Sequence, residues 1–207
     1  MPVQIYFILS FSILITLVAH FLAIRENKLT WVFRATEILT TAYLLYLTHS
    51  ALSVNLSIQF ILLVISLFGF LVWTESNSEP SIIILDENLI ERSLKSRGRI
   101  YELSFEAYVA LFFIFLITWI LLSTAYRLTI NNQEPLYSFA LIMQLIGYAL
   151  LSQKALEAWL CLMLSYLFLA INSQYTIFII SNISFAVLSL IAHIIWRRRW
   201  IQSLNQL

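Results

Sequence analysis

Cysteine occurs once, as Cys161, glycine and proline three times each, and charged residues make up only 11% of the 207-residue chain. A single cysteine rules out a disulfide framework; inside an apolar run, Cys161 reads as a small buried hydrophobe. So few glycines leave no phosphate-cradling loop and no ATP-binding motif. There is also no HExxH, no helix with paired aspartates and no nucleophile motif. A membrane enzyme would have no catalytic cluster to work with, and no cofactor is implied. No second histidine or carboxylate stands at metal spacing from His20, His49 or His193, so no metal site is expected. The net charge of +1 carries no footprint for nucleic acid. With 61% hydrophobic residues, the chain cannot be an ordinary water-soluble domain, and no segment is large enough to fold as one. It reads as an all-α polytopic membrane protein, with the lipid bilayer as its first partner.

The apolar runs define the spans. Residues 3–24 supply the roughly 20 residues that a hydrocarbon layer of about 30 Å requires. They lack the basic start and small-residue cleavage site of a signal peptide, so a spanning helix is expected. Further spans are expected at 31–49, 55–73, 105–126, 136–152, 155–171 and 175–196, giving seven transmembrane helices. Residues 75–104 form the only long hydrophilic segment. Within it Asp86 could cap a short surface helix through Leu89, Ile90 and Leu94, or the segment is a solvated linker.

Alternate loops of a seven-span chain share a side, and the basic residues divide unevenly between the two. Arg25, Lys28, Arg92, Lys95, Arg97, Arg99, Lys154, Arg197, Arg198 and Arg199 fall on one side, Arg127 alone on the other. The positive-inside rule makes the rich side cytoplasmic, with the N-terminus outside and the C-terminus inside. An internal echo adds the organisation. Residues 22–31 read LAIRENKLTW and residues 150–159 read LLSQKALEAW, so Leu22 and Trp31 recur at Leu150 and Trp159, 128 residues on. Each echo precedes a second apolar run ending on tryptophan, Trp73 in one and Trp196 in the other. The layout is a 3+1+3 parallel repeat: 1–74 as the first three-helix unit, 75–104 as a cytoplasmic loop, 105–135 as linker helix and outer loop, and 136–207 as the second unit with its basic tail. Two such copies around a small solute describe a transporter.

Helical spacing gathers polar side chains on faces. Asn55, Gln59, Leu62 and Ser66 share one on the third span, and Tyr137, Leu141, Gln144 and Tyr148 share one on the fifth. Trp159, Leu162 or Met163, and Tyr166 align on the sixth, and Asn182, Ser189 and His193 on the seventh. In hydrocarbon such groups face one another or a watered cavity; a sensor or structural protein would not need them. Aromatic faces hold a flat cation or heteroaromatic ring at about 0.5–2 kcal/mol each, and amides fix its orientation. The substrate-binding residues expected are Trp159, Gln144, Gln59, Tyr148, Tyr166, Asn182 and Glu37. The plainer alternatives are that Trp31, Trp73, Trp159, Trp196 and Trp200 anchor at the membrane interface, and that the amides are interhelical glue. Arg34 and Glu37, three apart, allow an ion pair on one helix face. Arg34 is expected to snorkel to the headgroups. Glu37, deeper and without that escape, is expected to face the pathway as a counter-charge or a protonatable group.

The residues 22–27 through Trp31, then Gln59, Gly69 and Trp73, then Lys154, Glu157 and Trp159, and finally Trp196 with its arginines, together resemble the PnuC-type vitamin and nucleoside transporters. The resemblance spans nearly the whole chain, and that family shares its three-plus-one-plus-three layout with the SWEET sugar carriers. It implies facilitated diffusion of a vitamin precursor or nucleoside, most often nicotinamide riboside, through a bacterial inner membrane. It also implies dependence on a cytoplasmic kinase that traps the product, and it is compatible with a homo-oligomer. The chain departs from the nicotinamide riboside pattern at Leu162 and Tyr166, where a second tryptophan and an asparagine are expected. It departs too at Arg34, in place of a glycine, and at Ser66, in place of an asparagine. Thiamine, another nucleoside or a riboflavin-like solute are therefore the alternative substrates.

Overall fold

The computed structural model describes residues 3–48, 52–75, 100–129, 135–173 and 175–204. Among them seven α-helices follow in chain order: α1 Val3–Ile24, α2 Leu29–Thr48, α3 Leu52–Glu75, α4 Phe105–Thr129, α5 Pro135–Ser152, α6 Ala158–Asn172 and α7 Thr176–Leu204. The described residues form no strand, only an isolated bridge between Tyr101 and Ala155. Four helices, α1, α3, α4 and α7, are long and apolar enough to cross a membrane, and α5 and α6 are shorter apolar helices. Hydroxyls inside the helices bond the preceding turn, as Thr16 does to Ser12 O, Thr36 to Val32 O and Thr41 to Glu37 O. Such back-bonding satisfies a polar group without water. The surface helix expected over residues 86–94 lies outside the described residues, as do His49 and the loop at 130–134.

Several helix ends differ from the sequence expectation: the third helix starts and the fourth ends three residues outside it, and the last two helices differ in ways that bear on the packing. The last helix does not stop at Trp196 to leave a basic tail but continues through Arg197, Arg198 and Arg199. Arginine is a good helix former, and Arg199 is held by a 2.8 Å bond to Ile24 O. The sixth helix begins at Ala158 rather than 155, because residues before it form a turn.

The helices pack as α1 on α2 on α3, and as α5 on α6 on α7; α3 meets α5 and α7 meets α1 across the seam between these groups. Helix α4 touches the rest mainly through α5, and its apolar stretch stays unburied. The turns after α1 and α5 have the same construction. Asn27 N bonds Leu22 O and Glu26 N bonds Ala23 O; Ala155 N bonds Leu150 O and Lys154 N bonds Leu151 O, all at 3.0 Å. This is the Schellman pattern, whose left-handed position usually belongs to glycine. Here it holds Glu26 at φ 55° and Lys154 at φ 61°. The second turn is strapped by the segment leading into α4. Leu156 N bonds Tyr101 O at 2.9 Å, and Glu157 Oε1 accepts from Leu103 N at 3.1 Å and from the Tyr108 hydroxyl at 2.6 Å. Burial, followed by the nearby Glu157 carboxylate, raises the pKa of the Tyr101 phenol above its ordinary value.

At this same end Trp31, Trp73, Trp159 and Trp196 are all buried. They are not interfacial anchors in lipid but a layer between the two helix groups. Trp31 meets Trp73 edge-on at 5.6 Å between ring centroids, Trp159 meets Trp196 edge-on at 5.4 Å, and Trp73 and Trp196 lie 6.5 Å apart. Gly69 makes room for this packing: a Cβ there would stand 2.4 Å from the Trp31 ring.

Candidate functional site

Beyond the tryptophan layer, toward the opposite end of the bundle, the helices surround a partly open cavity of about 410 Å³. Every helix but α4 lines it. Its polar groups are the Glu37 carboxylate, the amides of Gln59, Gln144 and Asn182, and the phenols of Tyr137, Tyr148 and Tyr166, with hydroxyls including those of Thr16, Thr41 and Ser181. Leu62, Leu141, Phe178 and Phe185 supply apolar wall between them. Among the described lining residues none is a lysine or arginine, and Glu37 is the one carboxylate. The arrangement suits an uncharged or cationic solute with a flat ring and several hydroxyls: tyrosine faces for the ring, amides and hydroxyls for directional bonds.

The floor of the cavity is built around Arg34. Its guanidinium is fully buried, so it does not snorkel to a headgroup layer. Nη1 donates to Glu37 Oε2 at 2.8 Å and to Tyr148 Oη at 2.9 Å, while Nη2 lies 3.0 Å from His20 Nδ1. The carbon of the guanidinium also stands 4.8 Å above the Tyr148 ring centre. Five helices meet near this one side chain, since His20 belongs to α1, Arg34 and Glu37 to α2, Tyr148 to α5, and Tyr166 on α6 and Phe185 on α7 pack against His20. His20 stacks on Phe185 at 5.5 Å with planes 8° apart, and Ser189 Oγ approaches its Nε2 at 3.5 Å. Its Nδ1 faces both the donor Arg34 and the acceptor Thr16 O, 2.9 Å away, and can serve only one of them at a time. Arg34 thereby sets the Glu37 carboxylate against the cavity, with its own charge held behind.

Six of the residues expected at the site, Glu37, Gln59, Gln144, Tyr148, Tyr166 and Asn182, line this one cavity. Trp159 does not; it lies beneath the floor, its ring 6.0 Å from His20 and fully buried in the tryptophan layer. Leu162 also stays out of the cavity, pressed against Gly147, where an added Cβ would come within 2.8 Å of it. Thr16 and His20 were not expected at the site. Their signal was present in the sequence as Ser12, Thr16 and His20, a polar stripe at spacing four along a mostly apolar α1. Among the described residues no cluster of histidine, cysteine and carboxylates could hold a metal ion.

No curated protein and no solved structure gives a significant match to the chain. A family profile does, over residues 6–199, nearly the full length. The sequence resemblance, the all-helical membrane architecture and that match agree: the chain belongs to the nicotinamide mononucleotide transporter (PnuC) family, whose members are membrane transporters and not enzymes.

Proposed function

We propose that the protein carries a small, flat vitamin precursor across the bacterial inner membrane by facilitated diffusion, with nicotinamide riboside as the leading substrate and a cytoplasmic kinase trapping it inside. Seven spans, with the basic end of the bundle in the cytoplasm, make the cavity open toward the outside. Residue correspondences support two parallel three-helix units around α4. A shift of 128 residues carries Ile24 onto Ser152, Glu26 onto Lys154 and Trp31 onto Trp159; a shift of 123 carries Gln59 onto Asn182, Leu62 onto Phe185 and Trp73 onto Trp196. Gln59 and Asn182 then face the cavity from equivalent places.

The observation that carries the substrate assignment is the lining: a carboxylate, amides and phenols, with no lysine or arginine among its described residues. A riboside with a pyridinium ring places its positive charge near Glu37 and its sugar hydroxyls among the amides. A mononucleotide adds a phosphate that meets no lining cation. Because Arg34 pairs with Glu37 at 2.8 Å, the carboxylate repels that phosphate less than a bare charge would, and the missing lining cation is what favours the riboside. The site is formed by Gln59, Gln144, Asn182, Tyr148, Tyr166 and Glu37, with Trp159 supporting it from below. Tyr166, a phenol in place of the family's asparagine, keeps thiamine, another nucleoside or a riboflavin-like ring as the second reading.

The test is a calorimetric binding screen of nicotinamide riboside, nicotinamide mononucleotide, thiamine and riboflavin against the purified protein, repeated with Gln144→Ala and Trp159→Ala. The riboside should bind at least tenfold more tightly than the mononucleotide, and both substitutions should weaken it. Equal binding of the mononucleotide defeats the charge argument. Undiminished binding by Trp159→Ala leaves that residue to the tryptophan layer alone.

A further inference from the structure

The cavity ends at the tryptophan layer, and past that layer the two helix groups are joined by reciprocal contacts. Trp73 on α3 donates its indole N–H to Ser152 O, the last carbonyl of α5, at 3.0 Å. Trp196 on α7 donates to Ile24 O, the last carbonyl of α1, at 3.3 Å. Each bond fills a helix-terminal acceptor that has no partner within its own helix, and each crosses from one group to the other.

The turns just beyond these carbonyls carry the next contact. Glu26 and Lys154 occupy left-handed backbone positions that disfavour any residue with a Cβ. Glycine would suit both turns better, so both side chains are kept against local preference, and such outliers point to function. What the side chains do is meet each other: Lys154 Nζ lies 3.5 Å from Glu26 Oε2, with Arg199 Nη1 3.3 Å from the other carboxylate oxygen. Lys154 Nζ also stands 5.4 Å over the Trp73 ring, which ties this pair to the tryptophan layer.

We propose that the Glu26–Lys154 pair is the latch, and the crossed Trp73 and Trp196 bonds the gate, that close the basic end of the transport cavity and must part for substrate to leave there. This rests on the alternating exposure of the cavity implied by the transport function above. The closed state is not locked. The indole N–H groups of Trp31 and Trp159 are buried in it with no hydrogen-bond partner among the described residues. Opening the seam to water satisfies both, which offsets the loss of the crossed bonds.

The experiment needs no substrate, so its outcome is separate from the substrate assignment. In a Cys161→Ala background, spin labels at Lys28 and Gln153, exposed on the two turns, report the distance between them in lipid nanodiscs by pulsed electron resonance. Glu26→Gly and Lys154→Gly, each relaxing its turn, should raise the long-distance population about two- to fivefold, the range of a partly exposed ion pair. Trp73→Phe and Trp196→Phe should shift it the same way by about two- to tenfold, the range of one hydrogen bond. Glu26→Lys, which sets like charges together, should open it further, and in an Arg199→Gln background, which spares the new lysine a second like charge, Glu26→Lys with Lys154→Glu should restore most of the short distance. An unchanged distribution in the glycine and phenylalanine variants overturns the gate. Failure of the double reversal to restore the short distance overturns the latch.

Discussion

Removing the Arg34–Glu37 pair one side at a time, then together, separates the structural role of these charges from their role in transport. Arg34→Met leaves the Glu37 carboxylate, whose side chain is only 12% exposed, without its 2.8 Å partner. Stranding a buried charge costs about 3–5 kcal/mol. The same change frees His20, whose Nδ1 can then donate to Thr16 O at 2.9 Å, so that histidine recovers a bond while Tyr148 loses one. Glu37→Gln keeps an oxygen within reach of Nη1 but leaves the fully buried Arg34 cation without its counter-charge, again a loss of about 3–5 kcal/mol, lessened by the bond the amide keeps. The double variant, Arg34→Met with Glu37→Gln, has no charge left to strand and should melt near the wild-type temperature.

Transport should follow a different order. If the carboxylate meets the substrate, Glu37→Gln and the double variant both lose an interaction of about 1.5–3 kcal/mol, or roughly ten- to 150-fold in apparent affinity. Thermal melting of the purified protein beside uptake into vesicles therefore gives the deciding pair of readouts. A double variant restored in stability but still impaired in uptake places Glu37 in the pathway. Wild-type uptake by the double variant would show that the carboxylate only balances Arg34. A double variant as unstable as Arg34→Met would instead refute the energetic reasoning.

Gly69→Ala forces a methyl group into the Trp31 ring and should lower stability by about 1–3 kcal/mol in a thermal melt; a melt equal to wild type would mean that Trp31 is free to shift. A cysteine placed at Ser96 in the Cys161→Ala protein should resist a membrane-impermeant maleimide in intact cells if the proposed orientation, with the basic residues inside, holds, and rapid labelling would reverse it. Uptake into protein-containing vesicles should equilibrate without a gradient and show counterflow; accumulation driven by a proton or sodium gradient would contradict facilitated diffusion.

Hydropathy locates these helices well, because a spanning segment and a buried helix both demand long apolar runs. It says less about which face of a helix looks inward. In α1 the lipid-like residues Phe7, Leu14 and Phe21 and the inward residues Leu9 and Ile15 are equally apolar, and only Ser12, Thr16 and His20 mark the inner stripe. The tryptophans show the same limit. Their position at helix ends is what an interfacial anchor has, and nothing local to Trp31 or Trp159 distinguishes that from burial in a layer between two helix groups. The clue lay in the echo at 128 residues, which gives Trp31 and Trp159 the same role and sets Glu26 against Lys154 with opposite charge.

Arg34 shows where local reasoning stops. A spacing of three was enough to pair it with Glu37, and the pair exists. Snorkelling was the cheapest outcome for a cation one turn from a helix end, given only that helix. The structure keeps it inside because two further partners come from elsewhere in the chain: His20 is 14 residues away and Tyr148 is 114 away. Together they give the guanidinium more partners in the core than a single ion pair would, although its Nε has none among the described residues. Those partners sit on α1 and α5, so Arg34 also binds the two helix groups to each other at the cavity floor. A residue that costs most by insertion scales thus becomes the one that orients the carboxylate of the site.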